Sequence, residues 1–157
     1  IKTSNEEMQG YMLDKPYIFE GDAEVNSLLE NAGNKILLKI GQIIGSQVEM
    51  YQDTARKYGV ENTYNHSYKR IINLTIPEGY EISNINDLNM EVFYKEGGKN
   101  LMEFTSKYIL EGNKLTIICD EFYNIIRLPV EKYDAFRTVI NAAADFNKIT
   151  LILKNKS

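Results

Sequence analysis

Between Met90 and Leu128 the chain reads as three strand-like runs, MEVFYK, LMEFTSKYIL and KLTIICDEFYNIIRL, separated only by EGGKN and EGN. Those connections are of hairpin length and supply glycine where a tight turn needs positive φ. Strands joined so closely must run antiparallel, because a parallel return needs a crossover of about a dozen residues or more. A β-meander is thereby required in the middle of the chain, and everything else has to pack around it.

The flanking patterns fill in the rest. HSYKRIINLTI alternates, placing Tyr68, Arg70, Ile72, Leu74 and Ile76 on one face and Lys69, Ile71, Asn73 and Thr75 on the other, before Pro77, Glu78 and Gly79 close it with turn residues. In the third meander run Leu115, Ile117 and Ile125 oppose Ile118, Phe122 and Ile126, which predicts a central strand covered on both faces. After Pro129, Tyr133, Phe136, Val139, Ile140, Ala143 and Phe146 recur at helical spacing and draw one apolar stripe. Arg137, Asn141 and Asp145 fall on a different face of that helix, Asn147 stands at its end, and all four read as structural. Ile149, Leu151 and Leu153 then alternate as a last strand.

Upstream, Val25, Leu28, Leu29 and Ala32 step as a short amphipathic helix with Gly33 at its C-terminal cap. KILLKIGQIIG reads as a strand that Gly41 and Gly45 allow to bend, and residues 46–65 show no regular period. The expected fold is mostly β (α+β): an antiparallel β-sandwich with a short N-terminal helix and a C-terminal amphipathic helix packed on the sheet. One domain spans 1–157, with residues 1–20 a lead-in segment and 21–157 the sandwich. The chain opens at Ile1 rather than Met and shows no basic-then-apolar targeting pattern, which suggests a processed protein or a piece of a longer one.

Composition narrows function mainly by exclusion. At 157 residues, 43% hydrophobic and 25% charged, the chain can bury a sizeable core. A formal charge of -4 without a Lys/Arg cluster lacks the electrostatic footprint of a nucleic-acid binder. No apolar run approaches the roughly 20 residues of a membrane span. Cys119 is the one cysteine and His66 the one histidine, so disulfides and multi-thiolate zinc sites are out of reach, and no metal or cofactor is expected. A thiol nucleophile needs a histidine beside it and is usually set at a helix start; Cys119 sits inside TIICDEF, a strand position. The carboxylates of Asp120 and Glu121 point to opposite faces of that strand and cannot form a glycosidase pair with each other.

The most suggestive surface lies in the irregular stretch and the strand after it: Tyr58, Asn62, Tyr64, Asn65, His66 and Tyr68. Tyrosines among amide side chains suit a glycan or peptide platform, since each ring offers apolar area and a polar tip.

Three phrases, KIGQIIGSQVEMYQDTARKY, YKRIINLTIPEGYEI and YDAFRTVINAAADFNKITLILK, carry a resemblance. Together they resemble the C-terminal domain of unknown function that follows a transglutaminase-like domain in envelope proteins of Bacteroides-type bacteria. The resemblance covers roughly residues 10–155 and contains no catalytic motif. It implies that a β-rich domain and a Cys-His-Asp transglutaminase-like or protease-like domain lie upstream and hold the catalytic residues. Here the sole histidine precedes the sole cysteine, opposite to the usual order in that catalytic fold. The resemblance thus implies a non-catalytic accessory module, periplasmic or envelope-located, whose partners are the upstream domains of its own polypeptide. The alternative is a carbohydrate- or peptide-binding module using the patch from Tyr58 to Tyr68.

Overall fold

In the computed structural model, which describes residues 2–7 and 18–156, the chain forms twelve strands and one α-helix among those residues. In order they are β1 (Lys2–Glu7), β2 (Ile18–Asp22), β3 (Leu29–Ala32), β4 (Lys35–Leu38), β5 (Val60–Glu61), β6 (His66–Thr75), β7 (Tyr80–Ile82), β8 (Met90–Glu96), β9 (Lys99–Glu111), β10 (Lys114–Tyr123), β11 (Arg127–Leu128), α1 (Tyr133–Asn147) and β12 (Leu151–Asn155). Two four-stranded sheets carry the fold, ordered β6-β10-β9-β8 and β3-β4-β12-β7, with the small pairs β1-β2 and β5-β11 beside them. Every pairing is antiparallel.

The predicted meander is the β8-β9-β10 portion of the larger sheet, and β6 joins it by pairing with β10 along its whole length, from Thr75 opposite Lys114 to His66 opposite Tyr123. The helix α1 lies across the inner face, where the Phe146 ring meets Phe104 at 5.9 Å and Phe136 meets Tyr123 at 6.1 Å. It then delivers the chain to β12 in the smaller sheet. One core results: Ile72, Phe104, Leu115 and Ile117 from the larger sheet, Leu38, Leu151 and Leu153 from the smaller, and Phe136, Val139 and Phe146 from α1. Each such side chain contributes about 1.5–3 kcal/mol by leaving water, which holds in place a 15-residue helix that would be marginal alone. The mostly β, α+β architecture with the C-terminal helix on the sheet is the expected one.

Three local expectations are corrected. Residues 22–33 do not form a helix: a 3₁₀ turn spans Asn26–Leu28, and Leu29–Ala32 is strand β3, paired with β4. So short a segment gains too few helical hydrogen bonds to offset nucleation, and Val25 and Leu29 remain about half exposed (47% and 55%), so no buried stripe rewards a helix. Gly33 does adopt positive φ, +65°, but as the first residue of the two-residue β3–β4 hairpin loop.

KILLKIGQIIG is a strand only over Lys35–Leu38, after which Ile40–Ile44 winds into a 3₁₀ turn. That turn is drawn against the end of α1: Gly41 N–H donates to Ile149 O at 3.0 Å, and a Cβ at Gly41 would stand 2.0 Å from the Phe146 carbonyl oxygen. Only glycine fits there.

Strand β10 is central, between β6 and β9, but it is covered on one face alone. Leu115, Ile117, Cys119, Glu121 and Tyr123 are buried, whereas Thr116, Ile118, Asp120 and Phe122 are only half-buried. The chain's α-helix lies on the inner face, and the outer face shows Ile71 (58% exposed), Ile109 (52%) and Phe93 (44%). Of the lead-in segment, β1 and β2 form a hairpin-like pair, while residue 1 and residues 8–17 lie outside the described residues. Among the described residues no helix is long and apolar enough to cross a membrane.

Candidate binding cleft

Alternation on β6 sends His66, Tyr68 and Arg70 to the inner face, and the register with β10 sets His66 opposite Tyr123, Tyr68 opposite Glu121 and Arg70 opposite Cys119. Five chemistry-bearing side chains thus share the open end of a face whose other end is packed with aliphatic groups. Above them pass Ile44, Ser46, Gln47 and Val48, and Ile140 of α1 closes one side, enclosing a cleft of about 350 Å³.

The roof is held by the polar residues of α1. Asn141 clamps Met50 from both sides, accepting from its N–H at 2.7 Å and donating to its carbonyl at 3.2 Å. Asn147 donates to the carbonyls of Gly41 (3.1 Å) and Gly45 (2.8 Å), and Lys148 binds Glu49 at 2.6 Å and Asp145 at 3.3 Å. Lys148 holds the Glu49 carboxyl below its ordinary range, and Glu49 raises the Lys148 ammonium in return. Arg137 pairs with Asp134 at 3.0 Å. The set Arg137, Asn141, Asp145 and Asn147 therefore trims the helix and pins the segment crossing it.

On the cleft floor, Glu121 is 6% exposed and accepts from Arg70 Nη1 at 2.7 Å and from the Tyr123 hydroxyl at 2.9 Å. Burial, reinforced by the Glu121 charge, pushes the Tyr123 phenol well above its ordinary range, so Tyr123 acts as a donor and not as a phenolate. The Arg70 guanidinium lies over the Tyr68 ring, 4.9 Å from its centroid. His66 is ringed by Tyr64 and Tyr68 at 5.6 Å and by Tyr123 at 5.0 Å. Its Nδ1 stands 3.1 Å from the Tyr64 carbonyl, which only accepts, so Nδ1 carries a proton and donates there.

Of the patch read from the sequence, the structure brings Tyr64, His66 and Tyr68 together. Asn62 is spent on backbone, its side chain donating to Ile125 O at 2.8 Å and its N–H to Ile126 O at 2.7 Å. Asn65 is exposed outside the cleft, and Tyr58 lines a separate shallow groove with Glu61, Arg127 and Pro129. Sequence reasoning missed Arg70, Glu121 and Tyr123. The available signal was Glu121 in register with Leu115 and Ile117, an acid at an inward position, with Arg70 inward on the neighbouring strand.

Cys119 is fully buried with its thiol directed to Ser106 Oγ at 3.6 Å, and burial pushes its pKa up. Four ladder steps, about 13 Å, separate it from Tyr123, the partner of His66, so the thiol and the imidazole do not meet. Among the described residues no group of three or more His, Cys, Asp or Glu is placed to hold a metal ion.

A family model described as a domain of unknown function with a solved structure, DUF3858, matches residues 34–153. The chain belongs to this family. The matched span runs from the β3–β4 loop into β12, so the DUF3858 domain contains the whole larger sheet, α1 and every residue of the cleft. No curated protein and no solved structure is significantly similar to the chain.

Proposed function

We propose that this DUF3858 domain is a non-catalytic accessory module that follows, and packs on, a transglutaminase-like catalytic domain in one periplasmic or envelope-located polypeptide. The resemblance of the three sequence phrases supplies the catalytic neighbour. The observation that carries the packing is the outer face of the larger sheet, where Ile71, Ile109 and Phe93 stand about half exposed around the Lys69–Asp120 pair (3.8 Å). Half-exposed apolar side chains interleaved with charge suit the mixed contact of two domains in one chain. In this reading the nucleophile belongs to the neighbour, and Cys119 is a packing residue.

Hydrogen exchange compared between the isolated chain and the full polypeptide tests the proposal. The amides around Ile71 and Ile109 should slow in the full polypeptide, and Ile71→Lys with Ile109→Lys should restore fast exchange while leaving the isolated chain's melting unchanged. Equal exchange in the two forms would refute the packing. Peptide or amide hydrolysis by the isolated chain, abolished by Cys119→Ala, would refute the non-catalytic reading.

A further inference from the structure

We propose that the cleft between β6, β10 and the Ile44–Val48 segment binds a neutral, hydroxyl-rich ring: one unit of a saccharide. The inference does not depend on which domain precedes this one, because it rests on the cleft alone.

The first support is the unspent hydrogen-bonding capacity. Arg70 carries five N–H donors and gives hydrogen bonds to Glu121 alone among the described residues. Glu121 offers about four lone-pair sites and fills two, while His66 Nε2 and the Tyr68 hydroxyl hold no protein partner among the described residues. Donors and acceptors thus alternate within one small space, which is what vicinal hydroxyls, each a donor and an acceptor, require.

Charge excludes the obvious competitor. An arginine in a cleft ordinarily suggests a carboxylate or phosphate, but Arg70 is already neutralised by Glu121 at 2.7 Å, and a second anion would meet the Glu121 charge. A neutral ligand meets no such opposition. Shape points the same way: a volume of about 350 Å³ falls in the range of small-molecule sites, and half-exposed Tyr68 lines it together with His66, bringing aromatic carbon to the cleft beside its polar groups.

The cleft is also preorganised. Its roof is fixed by the double clamp of Asn141 on Met50 and by Asn147 on Gly45, so little ordering remains for the ligand to enforce. A peptide that adds a strand would use the free edge of β6, whereas the cleft opens on the face of the sheet.

The test is an amide-resolved NMR titration of the folded chain with the methyl glycosides of glucose, galactose, mannose and N-acetylglucosamine at millimolar concentrations. Glucuronate and the blocked peptide Ac-Gly-Tyr-Gly-NH₂ serve as comparison probes. At least one neutral glycoside should shift residues 44–48, 66–70 and 121–123 saturably and more tightly than either comparison probe. Tyr68→Ala, at a half-exposed position, should weaken binding about tenfold, and Arg70→Lys, which keeps the charge and loses the planar fork, about fivefold or more. Tyr58→Ala should bind as the parent does. The matching disaccharides separate the sources: tighter binding marks the end of a glycan chain, equal binding a free sugar, and both sustain the site. Four results would overturn it: no shift in those residues with any neutral glycoside, tighter binding there of the uronate, tighter binding there of the peptide, or parent-like affinity in folded Tyr68→Ala and Arg70→Lys.

Discussion

The inward faces of β6 and β10 form one surface with two unlike halves. Toward Thr75 and Lys114 it is aliphatic, with Ile72, Leu74 and Ile76 beside Leu115, Ile117 and Cys119, and these side chains belong to or pack against the hydrophobic core. Toward His66 and Tyr123 the same alternation presents His66, Tyr68 and Arg70 beside Glu121 and Tyr123, under a roof that leaves a cleft. Backbone, register and strand pairing are continuous across both. The difference lies in what covers them, and it shows that a stretch of sheet can be built by one set of rules and used for another purpose. The aliphatic half repays burial directly. The polar half holds an ion pair in a place where apolar residues of similar size would serve stability as well or better.

The largest effect separating the halves should come from the aliphatic side. Ile117→Ala removes a fully buried side chain from the middle of the aliphatic half and should lower unfolding free energy by about 2–5 kcal/mol, measured by urea denaturation. A smaller loss should come from the roof. Asn141→Ala deletes both hydrogen bonds to Met50 and should cost about 1–2 kcal/mol, and faster amide exchange at Met50 would locate the damage above the cleft. The smallest is a pH effect in the polar half. Tyr123 has a folded-state pKa raised above its unfolded value near 10, so its contribution is complete below about pH 10 and is lost as the pH rises beyond it. At pH 10.5 the loss should be about 0.8 kcal/mol, and Tyr123→Phe should remove that much of the fall in unfolding free energy between about pH 8 and pH 10.5, followed by urea denaturation.

Much of the aliphatic half was legible in the sequence, because its information is periodic. The alternation of β6, the hairpin connections of the meander and the stripe from Tyr133 to Phe146 each name an element without reference to the rest of the chain. Residues 22–33 misled for the same reason: Val25, Leu28, Leu29 and Ala32 carry helical spacing, but the pairing of Leu29 with Leu38 across the hairpin decides the outcome, and pairing is not written in local spacing. The half-open outer face of β10 was misjudged because apolar residues on both sides of a strand do not reveal on which side the helix will land.

The cleft was half legible. His66 and Tyr68 were found by residue type, but Tyr58 and Asn62 were grouped with them by proximity in sequence, and the fold sends those two elsewhere. Arg70, Glu121 and Tyr123 belong to strands some fifty residues apart and meet only through the β6–β10 register. Recognising them required noticing that an acid at an inward position faces an arginine at another.

The central claim is that the polar half is kept for binding and not for stability, and paired replacement of Arg70 and Glu121 tests it most directly. The measurement is the urea unfolding free energy of Glu121→Leu and of Arg70→Met/Glu121→Leu, each made in a Tyr123→Phe background that removes the hydroxyl bound by Glu121, with that background as the parent. Glu121→Leu alone strands the Arg70 charge and should lose roughly 2–4 kcal/mol, somewhat below the loss for a fully buried pair because Arg70 keeps 20% of its side chain in solvent. The double variant should return to within about 1 kcal/mol of the parent, or exceed it. A double variant that loses as much as Glu121→Leu alone would show that the ion pair holds the fold, and the contrast between the two halves would fail.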